Sequence, residues 1–303
     1  MVEGLVSCIV PTYRRSEMLV RAINSILGQT YKKIEVLVVD DNERNDEYSV
    51  LMHKTISENI SDSRVKIIHQ ERHINGAAAR NAGIRAAKGE FIAFLDDDDE
   101  WKPTKLQKQL ELLSNYPDYD GATCLIEEYQ GDTLFMRRPK YDESDLQLRV
   151  LKGEVSVGTV TLLLRRSALD KTGYFDEKLN RNQEVQLIAS FLSGNKLKVL
   201  NEYLVVVHRD DVKNRPKAEK IEKIKLDFLN SVSQYINKYS AKERKRIFNN
   251  NYFDIVYVAI RDHNIKLALR YIKKIGFDFN TYETQFRKNI RKIKNKYSAV
   301  RLK

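Results

Sequence analysis

Five consecutive acids, Asp96-Asp97-Asp98-Asp99-Glu100, follow the short apolar run FIAFL at 91–95. Carboxylates packed this closely repel one another unless a cation sits among them, and hard oxygen donors suit Mg²⁺, Mn²⁺ or Ca²⁺ rather than zinc. A divalent ion held by one or two of them could bridge to a diphosphate and stabilise the charge on a departing nucleotide. The plainer reading is an acidic turn that opens a helix and complements its dipole around Trp101–Leu106. Two further clusters pose the same choice. Asp40-Asp41 close the run IEVLVV, where a carboxylate can accept from a ribose hydroxyl or a base N–H, or simply cap a turn. Asn75-Gly76 lead into a segment carrying Arg80 and Asn81. A glycine there lets the backbone approach a ligand, and a helix start beside a cation favours phosphate; an ordinary helix cap would look the same.

The elements that position these clusters tip the balance. LVSCIV (5–10) and IEVLVVDD (34–41) read as buried strands, and VKIIHQ (65–70) and FIAFL (91–95) as two further strands. Helices are expected between them, at about 18–27 with Leu19, Ala22, Ile23 and Ile26 on one face, at about 46–60, and at 76–89. Strands and helices alternating at this pitch make an α/β protein with a parallel, doubly wound sheet. Its ligand crevice lies beyond the carboxyl ends of the strands. Those ends carry Pro11–Arg15, Asp40–Asp41 and Asp96–Asp99, so the functional site is expected there. Farther on, the pattern predicts a helix at about 103–114, strands at 120–129 and 159–165, a helix near 184–193 and a strand at 197–207. Beyond Pro216, helices are expected at 217–237, 241–262, 264–275 and 281–297.

Four blocks then match a known pattern in order and spacing: PTYRR at 11–15, QTYKKIEVLVVDD at 29–41, NGAAARNAGIRAAKGEFIAFLDDDDEW at 75–101 and TGYFDEKLNRNQEVQL at 172–187. Over about 1–210 the chain resembles glycosyltransferase family two, the large inverting family of GT-A fold whose members include polysaccharide-building enzymes. The resemblance implies sugar transfer from a nucleotide donor, usually a UDP-sugar, with a divalent Mn²⁺ or Mg²⁺ ion. It implies that Pro11, Thr12 and Tyr13 line the nucleotide, that Asp41 holds the base, and that Asn75, Gly76, Arg80 and Asn81 belong to the donor-binding stretch. Asp96, Asp97 and Asp98 match the D-x-D region, with Asp98 as metal ligand and Asp96 nearer the ribose or the ion. His208 resembles a position that some relatives place near the metal, although a lone histidine at a strand end is commonly structural. Relatives often read Glu-Asp, an aromatic, then leucine at the acceptor base. Here the same place reads Gln183-Glu184-Val185-Gln186-Leu187, which makes Glu184 the general base by implication; the alternative is a helix-start glutamate favoured by the dipole.

Composition frames the setting. The 303 residues are 42% hydrophobic and 31% charged, with two cysteines and a net charge of +11. Residues 213–303 hold 24 Lys/Arg against 8 Asp/Glu, leaving 29 against 34 for residues 1–212. The expected division is therefore a catalytic domain at 1–212, with a nucleotide half at about 1–100 and an acceptor half at about 101–212, and a basic helical region at 213–303. Cys8 and Cys124 fit buried thiols of a reducing compartment. With no apolar leader or membrane-length run, a cytoplasmic protein is expected, touching the membrane at most peripherally. The segment Tyr282–Val300 spaces Phe286, Ile290, Ile293 and Tyr297 helically among basic residues. That suits an anionic membrane surface and a glycan or lipid-linked acceptor, or a helix packed on its neighbours or on a second copy as a homo-oligomer contact. His53, His69, His73 and His263 show no ligand spacing. Two other classes compete. A sugar nucleotidyltransferase would carry a glycine-rich phosphate loop where PTYRRSEM has no glycine. A nucleic-acid binder could use the basic tail, but no nucleic-acid motif accompanies it, so no such partner is expected.

Overall fold

The computed structural model describes residues 1–209, 216–278, 281–283 and 285. Its first half alternates β1 (Val2–Thr12), α1 (Leu19–Leu27), β2 (Ile34–Asp40), α2 (Glu47–Asn59), β3 (Val65–His69), α3 (Gly76–Ala86) and β4 (Gly89–Phe94). The sheet runs β3-β2-β1-β4 with every neighbour parallel, as right-handed crossovers through helices require. Alternation along β1 covers both faces. Val6, Cys8 and Val10 meet α1, α2 and the later helix α4 (Lys105–Asn115), while Ile9 meets α3. Gly83 permits that second contact: a Cβ there would fall 2.5 Å from Ile9 Cγ2. The stripe Leu19, Ala22, Ile23 and Ile26 of α1 is fully buried, as its spacing predicts.

Beyond β4 the sheet becomes mixed. β5 (Glu100–Trp101), β6 (Gly121–Gln130), β7 (Thr133–Arg137), α5 (Leu146–Leu151), β8 (Leu163–Arg165), α6 (Arg166–Thr172), α7 (Gln183–Phe191) and β9 (Leu197–His208) complete it. The order continues β4-β8-β6-β9-β5, with β7 paired to β6. β6 and β9 run parallel; β8 is antiparallel to both its neighbours, and β5 is antiparallel to β9. The strand expected over 159–165 splits into a 3₁₀ turn, Thr159–Thr161, and β8. β5, β7, α5 and α6 are too short for periodicity to reveal. β7 also depends on the turn at Gly131, whose φ is +54°.

The helices that follow are α8 (Ala218–Ser231), α9 (Ser233–Ile236), α10 (Ala241–Arg261) and α11 (Ile265–Ile275). The helix expected over 217–237 breaks at Val232, where φ reaches −103°. Phe228, Leu229, Ile236 and Ile247 pack on Leu148 and Leu151 of α5 and Ala189 of α7, so this region is seated on the sheet-bearing part of its own chain. The residues of the expected helix 281–297 from 286 onward lie outside the described residues, and with them most of the predicted basic stripe. Among the described residues no helix is long and apolar enough to cross a membrane.

Cys8 and Cys124 are free and buried, and burial pushes their thiols up to about 12 and about 11. Between them lies Lys105, fully buried, its Nζ 3.9 Å from the centre of the Trp101 ring and without a hydrogen-bond partner. Trp101 in turn donates from Nε1 to Val160 O at 2.9 Å, which commits it to packing. Burial lowers the Lys105 ammonium to about 8. A lysine depressed on folding contributes stability above its unfolded pKa and loses it as pH falls through the folded one. Lys105→Met is therefore expected to raise the melting temperature at pH 7 by several degrees. The gain should shrink as pH rises toward 10; a constant gain across that range would refute the buried charge as its source.

Candidate active site

The carboxyl ends of β1, β2 and β4 and the start of α3 enclose a cleft of about 320 Å³. Two groups of side chains face into it. In the first, Tyr13 stacks on His73, with ring centroids 3.8 Å apart at 14°. His73 Nδ1 lies 2.9 Å from Asp41 Oδ2, and Gln70 donates to Asp41 Oδ1 at 2.8 Å. A flat aromatic pair beside a fixed carboxylate is suited to a heterocyclic base: one surface stacks, and the acid accepts from a ring N–H. Burial raises the Asp41 carboxyl against the opposing pull of His73.

The second group is the acidic loop after β4. Thr12 donates to Asp97 Oδ2 at 2.8 Å, Arg15 pairs with Asp98, Arg80 donates to Asp96 Oδ1 at 2.6 Å, and Arg21 donates to the Asp98 carbonyl at 2.7 Å. Burial pushes Asp97 up to about 7, with the charge of Asp98 adding to it. Burial and then the charge of Asp96 raise Asp98, and the same two causes raise Asp99 well above the usual carboxylate range. These acids hold protons too tightly because their own charges crowd a partly dry site. A cation relieves that crowding, and Arg15 now supplies one. An oxygen-only donor set under this repulsion fits a hard divalent ion.

Gly76 opens α3 at the rim, and a Cβ there would lie 3.0 Å from Arg80 Nη1 and 3.7 Å from Gln183 Oε1. Gln183 begins α7, and its chain neighbours Asn182 and Glu184, with Val185, line a second, larger cavity of about 750 Å³. Strand β6 and the loop after β7 contribute Glu128, Arg138 and Tyr141, while Lys225, Phe228 and Asn251 come from α8 and α10. Glu184 is half-buried and makes no hydrogen bond or ion pair with any described residue. Asn182, held at φ 60°, has a buried Nδ2 without a partner.

The family model for Glycosyl transferase family 2 matches residues 7–173. The chain belongs to that family. It is 29% identical over 296 residues to an uncharacterized glycosyltransferase, MJ1057, of Methanocaldococcus jannaschii, covering 94% of this chain and 97% of the relative. It is 31% identical over 204 residues to WfgD of Escherichia coli, a UDP-Glc:α-D-GlcNAc-diphosphoundecaprenol β-1,3-glucosyltransferase, covering 66% and 75% of the two chains. The structure of S. aureus TarS 1–349 in complex with UDP-GlcNAc superposes with a TM-score of 0.58 at 17% identity, covering 97% of this chain and 90% of that one. The fold is GT-A, and the protein is a glycosyltransferase.

In this family 2 glycosyltransferase, Pro11, Thr12, Tyr13, Asp41, Gly76, Arg80, Asp96, Asp97 and Asp98 meet in one cleft, and Glu184 lines the adjoining cavity. Three expected residues point elsewhere. Asn75 caps α3, accepting from the N–H groups of Ala77 and Ala78 and donating to the Glu177 carbonyl. Asn81 is buried and spends its amide on the backbone N–H and carbonyl of Phe175 and on Glu177. Both asparagines tie the 173–177 loop to α3 and hold the wall of the cleft. His208 has its Nε2 2.6 Å from Glu100, and its backbone N–H donates to Asp99 at 3.3 Å; it does not converge with Asp96 and Asp98 in a three-ligand group. Two cleft residues went unassigned in the sequence. Arg15 sat inside the PTYRR block with no role, and His73 offered only a lone imidazole.

Proposed function

We propose that this glycosyltransferase moves a hexose or N-acetylhexosamine from a UDP-sugar to a hydroxyl of a glycan or lipid-linked acceptor in building a cell-surface polysaccharide. The observation that carries the reading is Glu184, a carboxylate with no partner among the described residues, in a cavity one residue along α7 from Gln183, which lies beside Gly76 at the rim of the cleft of crowded acids and stacked rings. The uridine would lie against Tyr13 with Asp41 accepting from its base, and Arg80 and Arg15 would face the diphosphate. Asp98, with Asp96, would hold a divalent ion, which when bound offsets the charge of the leaving nucleotide. Glu184 would take the proton from the acceptor hydroxyl, whose oxygen then attacks the anomeric carbon opposite the nucleotide and inverts it. The unpartnered Asn182 amide beside Glu184 would donate to another acceptor oxygen, since a buried donor left unmade is costly.

The names of the relatives support the donor and acceptor classes: WfgD uses UDP-Glc and a diphosphoundecaprenol-linked sugar, and TarS holds UDP-GlcNAc. On this reading residues 1–212 form the catalytic domain, and the helices after 216 wall its acceptor side. A panel of nucleotide sugars with and without Mn²⁺, followed by melting temperature and slow hydrolysis, tests the proposal. A Mn²⁺-dependent response to one UDP-sugar is expected. A response confined to GDP- or CMP-sugars would overturn the choice of nucleotide.

A further inference from the structure

Outside the donor cleft, three metal-ligating side chains meet at the carboxyl edge of β2 and β3. Asp40 ends β2 opposite His69, its register partner on β3, and His53 reaches the same point from α2. Asp40 Oδ2 lies 3.2 Å from His69 Nδ1 and 4.0 Å from His53 Nε2. The two imidazoles stack with centroids 4.6 Å apart at 16°, their Nε2 atoms separated by 2.7 Å. Among the described residues this is the group of three whose ligand atoms all fall within 4.8 Å of one another. Sequence spacing gave no hint of it, because the three come from different elements.

We propose that Asp40, His53 and His69 form a binding site for a divalent transition ion of the zinc class, separate from the acidic cleft. Two imidazole nitrogens and one carboxylate oxygen are the donors that borderline ions such as Zn²⁺, Co²⁺ and Ni²⁺ prefer, whereas the oxygen-only loop at Asp96–Asp98 suits harder ions. The carboxylate is already preset. Asp40 is fully buried, with Oδ2 accepting from Ser49 Oγ at 2.6 Å and Oδ1 accepting from the Asn42 side-chain amide at 2.7 Å. Such outer contacts orient a ligand before the ion arrives. The imidazoles supply access, since His53 and His69 leave 39% and 38% of their side chains exposed. Zinc–nitrogen bonds of about 2.0–2.1 Å in a tetrahedron set the two nitrogens roughly 3.3 Å apart. One ion takes a single nitrogen of each ring, so it would bind His69 through the Nδ1 that faces Asp40 Oδ2, and the exposed His53 ring turns from His69 Nε2, now 2.7 Å away, to bring its own nitrogen to that separation. Three protein ligands leave a fourth position to water. The site has a structural reach: Asp40 precedes Asp41, and His69 precedes Gln70, which donates to Asp41. An ion there ties together the two strand ends that carry the first group of the cleft, whatever ligand that group takes.

The test uses the full-length protein freed of metal with a chelator, then titrated calorimetrically with ZnCl₂ in the presence of excess Mg²⁺ to fill the acidic loop. One equivalent of Zn²⁺ is expected to bind with micromolar affinity and to raise the melting temperature. His53→Gln, at a half-exposed helix position, and His69→Ala should each weaken binding by about tenfold or more. Asp98→Asn should leave it unchanged. No Zn²⁺ binding by the wild type, or undiminished binding in a folded His53→Gln variant, overturns the proposal and leaves a proton-sharing histidine pair. Loss of Zn²⁺ binding on Asp98→Asn would move the ion to the donor cleft and overturn it equally.

Discussion

Glu184→Gln is expected to lower the rate of transfer to acceptor by about 10²- to 10⁴-fold, the range general-base catalysis contributes. Donor affinity should change little, because Glu184 lines the larger cavity rather than the cleft of Asp41 and Asp98. The variant should fold normally: the wild-type carboxylate makes no described hydrogen bond or ion pair that the amide would lose. The measurement is kcat with saturating acceptor, alongside donor affinity by calorimetry and the melting temperature. Near-normal kcat would remove Glu184 from the chemistry. A loss of donor binding as large as the loss of rate would instead place it among the donor contacts.

Asp98→Ala should act on the other partner. Mn²⁺-dependent tightening of UDP binding is expected to fall by at least the roughly 10- to 100-fold that disturbing an outer-shell partner costs a metal site. Affinity measured without metal should change far less. The stability of the donor-free protein should not suffer. Burial and the neighbouring Asp96 hold Asp98 above its ordinary pKa, so its ionised form is a burden on the fold at neutral pH. A variant that melts no lower than wild type yet loses the metal response identifies a ligand. One that keeps the response transfers the ion to Asp96 and Asp97, while one that simply unfolds returns the acidic loop to a structural role.

Much of the fold and most of the cleft could be read from the residues. The β1–β4 half announces itself because β1, β2 and β4 are buried along most of their length and their apolar runs stop at the polar ends that form the site, while β3, at the sheet edge, has no fully buried residue and is found by its place in the alternation. The part after β4 is quieter. β5 has two residues and β8 three, and their positions follow from what they pair with. The same distinction separates the site residues. Asp41 and Asp98 stand at strand ends, where chain order alone brings them together. Asn75 and Asn81 share a helix start that looks ready for phosphate, but their amides are claimed by the 173–177 loop, a contact across some 95 residues that no local pattern contains. His53, His69 and His73 carry no motif at all; their meaning depends on which strand ends lie side by side.

Three consecutive asparagines on α10 bear on how such an enzyme can change. Asn251 donates to the Leu151 carbonyl at 3.1 Å and Asn250 to the Lys152 carbonyl at 3.0 Å, both at the end of α5, while Asn249 donates to Asp278 at 2.7 Å. Asn250 and Asn251 dock the helical region onto the sheet-bearing part through backbone carbonyls, which any sequence at α5 would offer. That polar half of the joint is indifferent to side-chain drift on α5, while the apolar half, Phe228 and Leu229 against Leu148 and Leu151, is not. A lineage that keeps both halves can remodel Lys225 and its cavity-facing neighbours without disturbing the cleft at Asp41 and Asp98. The two cavities are, in that sense, separately heritable.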